Sequence, residues 1–335
     1  MAEAIDLAIV GCGAIAEAYL EALEGLAGLR LTAVVETSVR RLSEFRCASL
    51  VRRCASLDQL LDHAHPPAAA LVLTPPASHE PLALALLDAG LHVFCEKPLA
   101  LSSASAERMC SAAARASRRL MMGSKFRYTP DLLTAHSLLA EGLIGEALLF
   151  ENVFCSRVEM ATRWNSRPEI SGGGVLIDNG SHSVDIARWL LGPLARVQAQ
   201  FARRVQPVEV EDTARLLFET HSGTVGSIDL SWSLHKEVPS FVRLYGERGT
   251  IEVGWRRSRH KVRGEREWTA FGRGYDKVEA FRNQLADFAA SILDGQTPRI
   301  TDLDALASVR AVEAAYRSAA ERRWVDLAAE AEIRP

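Results

Sequence analysis

The chain has 335 residues, of which 48% are hydrophobic and 24% are charged, and its formal net charge is −3. A chain of this length can bury two hydrophobic cores, and its slightly acidic balance argues against binding to nucleic acid or to an anionic membrane surface. No apolar run reaches the ~20 residues that a membrane-spanning helix needs. The start, "MAEAIDLAIVG", lacks the basic segment of a signal peptide. Six cysteines without metal-site spacing favour free thiols in a cytoplasmic protein and no bound metal.

The first third of the chain alternates between strand-like and helix-like segments. Continuous apolar runs predict buried strands at residues 5–11, 29–36, 68–74, 91–96 and 120–126. Helical segments are predicted between them, at residues 14–26, 38–48, 56–63, 78–90 and 102–117. Repeated βα units of this length predict a doubly wound parallel sheet with right-handed crossovers. We assign this Rossmann domain to residues 1–126.

The first strand ends in "GCGAIA", with Gly11, Gly13 and Ala16 at GxGxxA spacing. Glycines permit a tight turn and a close approach of backbone to a pyrophosphate, and the N-terminus of the following helix offers free N–H groups. The motif is weak alone, but here it lies between a predicted strand and a predicted helix. The loop residues predicted to contact the dinucleotide are Gly11, Gly13, Ala14 and Ile15.

Glu36 ends the second strand, 20 residues after Ala16. A carboxylate at this position accepts hydrogen bonds from the ribose hydroxyls and repels a 2′-phosphate, which favours NAD over NADP. Arg40 and Arg41 could instead clamp a phosphate; we interpret them as part of a solvated helix face.

Two further strand ends carry unusual residues, and ligands of such sheets bind at the carboxyl ends of the strands. In "LTPPASHE", Thr74 and Pro75 are predicted to contact the nicotinamide end of the cofactor, and His79 would lie in the first turn of the next helix, exposed or in contact with the cofactor. In "CEKP", Glu96 and Lys97 follow an apolar strand, beside the expected cofactor groove.

These motifs, with "GGGVLIDNGSHSVD" further along, resemble those of the Gfo/Idh/MocA oxidoreductases, named for glucose–fructose oxidoreductase and inositol dehydrogenase. The resemblance covers nearly the whole chain, with four motifs in the family's order. It implies that Lys97 is catalytic or orients the substrate, and that Glu96 positions both the cofactor and this lysine. The alternative for Lys97 is an ordinary surface lysine. Pro98 would rigidify the turn, and the sequence does not determine whether its peptide bond is cis.

The regular alternation of predicted strands and helices ends after residue 126. Strand-like segments at 147–157, 195–205, 212–220, 224–232, 240–246 and 249–255 are separated by short turns, which imply antiparallel pairing. This pattern resembles the family's C-terminal α+β domain, which is built on a large open sheet, and we assign residues 127–335 to such a domain. The resemblance implies that this domain binds substrate and that one sheet face packs against another subunit, giving a homodimer or homotetramer.

A predicted helix in this domain carries Asp178, His182 and Asp185 at i, i+4 and i+7, on one face. Histidine titrates near neutrality and suits proton transfer to or from an alcohol. The resemblance implies that Asp178 and His182 act with the lysine, whereas Asp185 is interpreted as capping or pairing within its helix. The alternatives are an ordinary surface pair or metal ligands, but no third ligand has convincing spacing. The run Gly172–Gly174 before the helix indicates that backbone approaches something closely.

Candidate substrate contacts flank these segments. Arg127 and Tyr128 follow the last strand of the first domain, and Arg163, Trp164 and Asn165 precede the catalytic helix. Tryptophan can stack on a sugar face while arginine and asparagine bind hydroxyls or a phosphate; a mobile surface loop is the alternative. The basic stretch 255–267 is predicted to be a solvated hairpin.

The function predicted from residues and resemblance is NAD-dependent oxidation of a secondary alcohol, or the reverse reduction. The substrate would be a sugar, a cyclitol or a nucleotide sugar, the last with C3 as a candidate carbon. Two alternatives stay open: a glycosidase that retains NAD and acts through transient oxidation, and a non-catalytic regulator that binds dinucleotide. The regulator is disfavoured because Lys97, Asp178 and His182 are all present.

Overall fold

The computed structural model describes residues 4–328, which form two compact units. The first comprises residues 4–125 together with 277–306, and the second comprises residues 126–276 and 307–328. Residues 277–306, which the sequence places in the second domain, thus belong to the first unit. Their helix packs on the first helix of the chain, where the Phe281 and Tyr19 rings lie 4.3 Å apart.

The first stretch of chain alternates strictly between strand and helix. In chain order its elements are β1 (Ile5–Val10), α1 (Ala14–Leu23), β2 (Leu29–Val35), α2 (Val39–Glu44), β3 (Arg52–Cys54), α3 (Leu57–Leu61), β4 (Ala69–Val72), α4 (His79–Asp88), β5 (His92–Glu96), α5 (Ser103–Ala116) and β6 (Leu120–Gly123).

The remaining chain begins with helices around one long strand, continues as a strand-rich region and ends mainly helical. Its elements are α6 (Pro130–Ala140), β7 (Ala147–Cys155), α7 (Pro168–Ser171), α8 (Val175–Leu191), β8 (Leu194–Phe201), β9 (Thr213–Thr220), β10 (Val225–Ser231), β11 (Ser240–Gly246), β12 (Gly249–Gly254), β13 (Ser258–Val262), β14 (Thr269–Gly272), α9 (Lys277–Leu293), α10 (Asp302–Glu321) and β15 (Val325–Asp326).

Within the described residues, the first unit contains a six-stranded sheet in the order β3-β2-β1-β4-β5-β6, and all of its pairings are parallel. The residues of β1, β4, β5 and β6 are almost fully buried, as expected where helices cover both faces of a parallel sheet, which explains their continuous apolar runs. This order is that of a dinucleotide-binding Rossmann sheet. The predicted doubly wound fold is confirmed.

The segment after β2 differs from its prediction. Helix α2 ends at Glu44 rather than at residue 48, because Phe45 turns to an extended backbone conformation with φ −65° and ψ 123°. The guanidinium of Arg53 donates hydrogen bonds to the carbonyls of Leu42 and Phe45. It thus supplies donors for carbonyl groups at the C-terminal end of the helix. Arg53 lies in β3, a three-residue strand that the sequence did not predict.

In the part of the chain that is described, the second unit contains a nine-stranded sheet in the order β14-β13-β12-β11-β7-β10-β9-β8-β15. Its pairings are antiparallel except for β7 with β10, so the predicted open, mostly antiparallel sheet is confirmed. Buried side chains from one face of the sheet, from α8 and from the second half of α10 form one hydrophobic core. Strands β13 and β14 form a hairpin, as predicted for the basic stretch.

No helix among residues 4–328 combines the length and the apolar character needed to cross a membrane.

Candidate functional site

The glycine loop after β1 has the shape that its sequence predicts. Gly11 has φ +98°, and a Cβ there would lie 2.8 Å from Thr74 Cγ2, so both backbone conformation and space require glycine. Gly13 is the N-cap of α1 and has no side chain to cap the helix amides. A Cβ on Gly13 would meet no described atom within 4 Å, so open space lies beside this N-terminus.

Glu36 follows β2 and is 7% exposed. Its carboxylate accepts hydrogen bonds from the backbone N–H groups of Cys12 (3.1 Å) and Ser38 (2.9 Å), and Arg41 Nη2 lies 3.3 Å from Oε1. Burial opposes the charge, but the two backbone bonds and the Arg41 guanidinium outweigh it and lower the pKa of Glu36. Arg41 is therefore more than part of a solvated helix face: it pairs with the residue predicted to bind ribose.

The loop after β4 places Thr74 and Pro75 partly exposed at the carboxyl end of the sheet. His79 differs from the exposed position that the sequence allowed, because its side chain is fully buried. Its Nδ1 lies 2.8 Å from the carbonyl oxygen of Pro98, and its Nε2 lies 2.8 Å from that of Thr74. Both ring nitrogens thus face backbone of the protein itself.

Strand β5 ends at Glu96, and the following Lys97–Pro98 peptide bond is cis. The Glu96 carboxylate is 9% exposed and accepts hydrogen bonds from the Tyr19 hydroxyl (2.5 Å) and from the backbone N–H of Lys97 (3.0 Å). Gln284 Nε2 in turn donates to the Tyr19 oxygen at 3.0 Å. Sequence reasoning missed Tyr19 and Gln284, because neither lies near the motif in the chain.

The residues of this unit fit a bound NAD. An uncapped helix N-terminus beside open space suits a pyrophosphate. An ionised carboxylate at the end of β2 suits ribose hydroxyls. The residues that would hold the cofactor are Gly11, Gly13, Ala14, Ile15, Glu36, Thr74 and Pro75.

In the second unit, Asp178 lies in the first turn of α8 and is partly exposed, whereas His182 is 6% exposed. The His182 ring packs edge-on against Phe126, with centroids 5.0 Å apart. One helix therefore carries both side chains four residues apart, on the same face. Among residues 4–328, no group of three or more His, Cys, Asp or Glu side chains is placed to hold a metal ion.

The glycines before α8 make the close approach that the sequence indicated, and the partners are Glu211 and Tyr316. A Cβ on Gly174 would lie 2.0 Å from the Glu211 carbonyl oxygen, and one on Gly173 would lie 2.0 Å from the Tyr316 hydroxyl. Glu211 Oε1 accepts hydrogen bonds from the N–H groups of Gly174 and Leu176, both at 3.0 Å, and from the Tyr316 hydroxyl at 2.7 Å. Glu211 thus caps the helix that carries Asp178 and His182.

The Glu211 carboxylate is removed from water, and this burial raises its pKa although the three hydrogen bonds oppose the effect. Burial and the neighbouring Glu211 also raise the pKa of Tyr316 well above its usual value. Tyr316 is 105 residues from Glu211 in the chain, so no local sequence signal indicates this pair.

Asp185, interpreted from the sequence as capping or pairing within its helix, has a partner outside that helix. It forms a two-pronged ion pair with Arg127, with Nε–Oδ2 at 2.9 Å and Nη2–Oδ1 at 2.7 Å, and the two side chains are 0% and 2% exposed. Tyr128 is also fully buried. Arg127 and Tyr128, predicted as substrate contacts, thus lie in the interior, and Arg127 fixes α8.

The loop between β7 and α7 places Trp164 40% exposed, Arg163 exposed and Asn165 partly exposed. Gln206 holds the first part of this loop, because its Oε1 accepts from the N–H of Met160 and its Nε2 donates to the carbonyl of Val158, both at 2.9 Å. No local sequence pattern indicates this role of Gln206.

Comparison with known proteins agrees with this geometry. Residues 5–124 match the family described as "Oxidoreductase family, NAD-binding Rossmann fold", and residues 132–252 match the "GFO/IDH/MocA C-terminal domain". The D-apiose dehydrogenase of Paraburkholderia graminis is 28% identical, over 96% of this chain and 89% of that protein. A putative UDP-kanosamine synthase oxidoreductase subunit of Amycolatopsis mediterranei is 30% identical, over 74% of this chain and 75% of that protein.

A solved structure extends the similarity over almost the whole chain. GenD2 from gentamicin A biosynthesis, in complex with NAD, is 28% identical and superposes with a TM-score of 0.86, covering 98% of each chain.

Proposed function

Because this chain belongs to the Gfo/Idh/MocA oxidoreductase family, whose N-terminal domain is an NAD-binding Rossmann fold, we propose that it is a dehydrogenase of sugars or cyclitols. The observation that carries the proposal is the geometry at the end of β5. There a buried Glu96, held by Tyr19, accepts a bond from the backbone N–H of Lys97 and so fixes the lysine's backbone on the edge that carries the glycine loop. Parallel sheets bind their ligands at this edge.

In the proposed reaction a secondary alcohol of the substrate loses a hydride from carbon and a proton from oxygen. Bound NAD supplies the hydride acceptor. Lys97 donates a hydrogen bond to the reacting oxygen and stabilises the negative charge that develops there. His182 takes the hydroxyl proton as general base, and Asp178, one helical turn away, orients the His182 ring or a substrate hydroxyl.

Substrate recognition is proposed to involve the loop that carries Arg163, Trp164 and Asn165, because it presents an exposed indole beside an exposed guanidinium. An indole face can stack on a sugar ring while the guanidinium binds hydroxyls or a phosphate. The proposed substrates include a nucleotide sugar, with C3 as the candidate carbon for oxidation. Arg127 is proposed to act on the substrate through the position of α8, because it is buried and pairs with Asp185 of that helix.

The test is the absorbance of reduced nicotinamide, with NAD or NADP, against inositols, free hexoses, pentoses, hexose phosphates and UDP-hexoses. Lys97→Met and His182→Gln should each lower kcat by roughly 10²–10³-fold, because each removes a group that acts in the transition state. Lys261→Met is the matched control, since Lys261 lies on the β13–β14 hairpin and bonds the Arg266 carbonyl. Full activity of Lys97→Met would refute the proposed mechanism. A flat panel with tightly bound dinucleotide would favour the NAD-retaining glycosidase or the regulator.

We also propose that the chain assembles as a homodimer or homotetramer through the outer face of the nine-stranded sheet. Leu149, Leu217 and Val225 point outward and are 52%, 37% and 43% exposed, and Leu149 is paired with Val225 across β7 and β10. Exposed apolar patches of this kind commonly mark subunit contacts. Light scattering should show a smaller assembly for Leu149→Glu. The control Leu50→Glu, at a residue that is 95% exposed in the other unit, should leave the mass unchanged.

A further inference from the structure

We propose that His79 is a positioning residue that sets the spacing between the loop after β4 and the loop after β5. The first loop carries Thr74 and Pro75, and the second carries Lys97. This inference rests on the proposed function, because it concerns how the lysine is held relative to the cofactor-binding residues.

The geometry of the imidazole carries the inference. Strands β4 and β5 are parallel neighbours, so the loops that follow them leave the sheet side by side. The ring lies between these loops, with one nitrogen 2.8 Å from the Thr74 carbonyl oxygen and the other 2.8 Å from the Pro98 carbonyl oxygen. Pro98 directly follows Lys97, so the second contact fixes the backbone next to the lysine.

Thr74, which contacts His79, also packs against Gly11 in the glycine loop. The Thr74 hydroxyl accepts a hydrogen bond from Ser78 Oγ at 2.7 Å. The Thr74 methyl carbon lies 2.8 Å from the position that a Cβ on Gly11 would take, so the two residues are in close contact. A shift of Thr74 would therefore displace Gly11, the residue at which the chain turns toward the amides proposed to bind the pyrophosphate. His79 thus connects the two loops that the proposed chemistry must hold in register.

His79 does not itself suit the role of proton donor or cofactor contact. Its side chain is 0% exposed, and both nitrogens face backbone carbonyls. A neutral imidazole can donate to one of the two carbonyls and an imidazolium to both. In either state the ring fills the space between the loops, and its loss removes a hydrogen-bond donor from one carbonyl when the ring is neutral and from both when it is protonated.

Two isosteric variants separate the two contacts. In His79→Asn the side-chain amide nitrogen can reach the position of Nδ1, so the Pro98 contact is kept and the Thr74 contact is lost. In His79→Gln the amide nitrogen can reach the position of Nε2, so the Thr74 contact is kept and the Pro98 contact is lost. We expect His79→Asn to raise the Kd for NAD about tenfold with little change in kcat. We expect His79→Gln to lower kcat about tenfold, and to shift the basic limb of its pH profile, with little change in the Kd for NAD.

The matched controls are His92→Asn and His92→Gln. His92 begins β5 at the opposite end of the sheet, where its Nδ1 accepts a hydrogen bond from the backbone N–H of Arg119. Both control variants should keep the Kd for NAD and kcat within about twofold. Equal losses of Kd and kcat in both His79 variants would indicate a merely structural role and overturn the inference, as would the absence of any change.

Calorimetric titration of NAD needs no turnover. It therefore tests whether the contact between His79 and Thr74 supports NAD binding even if the proposed reaction is wrong. An active Lys97→Met would refute the reaction while leaving the split in NAD affinity intact, which distinguishes the two failures. If a variant does not fold, the unmodified enzyme still tests the inference through its histidine ring ¹⁵N signals. The inference requires a slowly exchanging N–H on the His79 ring, and rapid exchange with solvent contradicts it.

Discussion

Two glutamates, one in each unit, hold the backbone of candidate site segments in similar ways, but their pKa values are shifted in opposite directions. Glu36 accepts two backbone N–H groups around the end of β2, and Glu211 accepts two at the start of α8. The third partner is the Arg41 guanidinium for Glu36 and the Tyr316 hydroxyl for Glu211. The pKa of Glu36 is lowered, because its two backbone hydrogen bonds and the Arg41 guanidinium outweigh burial, and that of Glu211 is raised, because burial outweighs its hydrogen bonds.

This difference suits the roles proposed for the two segments. A carboxylate that stays ionised is needed where ribose hydroxyls are to be bound. At the start of α8 the requirement is an acceptor that fits between two close-packed segments, since Glu211 also lies against Gly174. Elsewhere in the second unit, Arg127 and Asp185 form a buried ion pair.

The largest expected effect comes from breaking that pair. Arg127→Met leaves the Asp185 carboxylate buried without its counter-charge, which should lower the free energy of unfolding by about 3–5 kcal/mol. Urea unfolding measures the change. The double variant Arg127→Met with Asp185→Leu should recover most of the loss, because no charge stays buried. A single variant within about 1 kcal/mol of the parent would mean that the pair does not fix α8.

Glycine substitutions compare the two helix starts. Gly174→Ala should lower the free energy of unfolding by about 1–3 kcal/mol, because its Cβ would lie 2.0 Å from the Glu211 carbonyl oxygen. Gly13→Ala should change stability by less than about 0.5 kcal/mol, because its Cβ enters open space, but it should weaken NAD binding. Thermal unfolding and NAD titration of both variants test this. Equal loss of stability in the two would contradict the assignment of open space beside Gly13.

The opposite pKa shifts predict opposite pH dependences of stability. The stabilising effect of Glu211 is full below the usual glutamate pKa of 4.5 and is lost as the pH rises through its raised folded-state pKa, because the folded state holds the proton more tightly. The effect of Glu36 is full above 4.5 and is lost as the pH falls through its lowered pKa.

Urea unfolding from about pH 3 to about pH 7 should show both trends, each with a slope of at most about 1.4 kcal/mol per pH unit. Glu211→Gln should make the loss of stability above pH 4.5 smaller than in the parent protein, and Glu36→Gln should do the same for the loss below it. If Glu211→Gln leaves the pH dependence above 4.5 unchanged, the raised pKa is not a property of this cap.

The smallest effect is expected from Arg41→Met. The Arg41 side chain is 56% exposed, so its pair with Glu36 should contribute at most about 1 kcal/mol to stability. The variant should nevertheless raise the pKa of Glu36, which ¹³C carboxyl shifts would report. Arg40→Met, at the neighbouring residue in α2, is the control and should leave the Glu36 titration unchanged. An unchanged titration in Arg41→Met would leave the backbone bonds as the cause of the lowered pKa.

The motifs of the first unit were predictable because their geometry depends on neighbours in the chain. "GCGAIA" predicts a turn and a helix N-terminus from glycine and small residues alone, and Glu36 is the expected distance from it. The period of the apolar residues likewise predicted the parallel sheet, and the i, i+4 spacing placed Asp178 and His182 on one helix face. The roles of Lys97, Asp178 and His182 in catalysis stay predictions.

Other features depend on partners that are distant in the chain, and the tertiary structure alone decided them. His79 reads as an exposed helix start, but two strand-end loops bury it. The sequence predicted that Arg127 faces the cleft, but it forms an interior ion pair with Asp185, which is 58 residues away in the chain. The glycines before α8 show only that something comes close, and the Glu211–Tyr316 pair shows what it is. Local periodicity records which face of an element is buried, whereas the identity of the group packed against that face depends on long-range contacts that no single segment encodes.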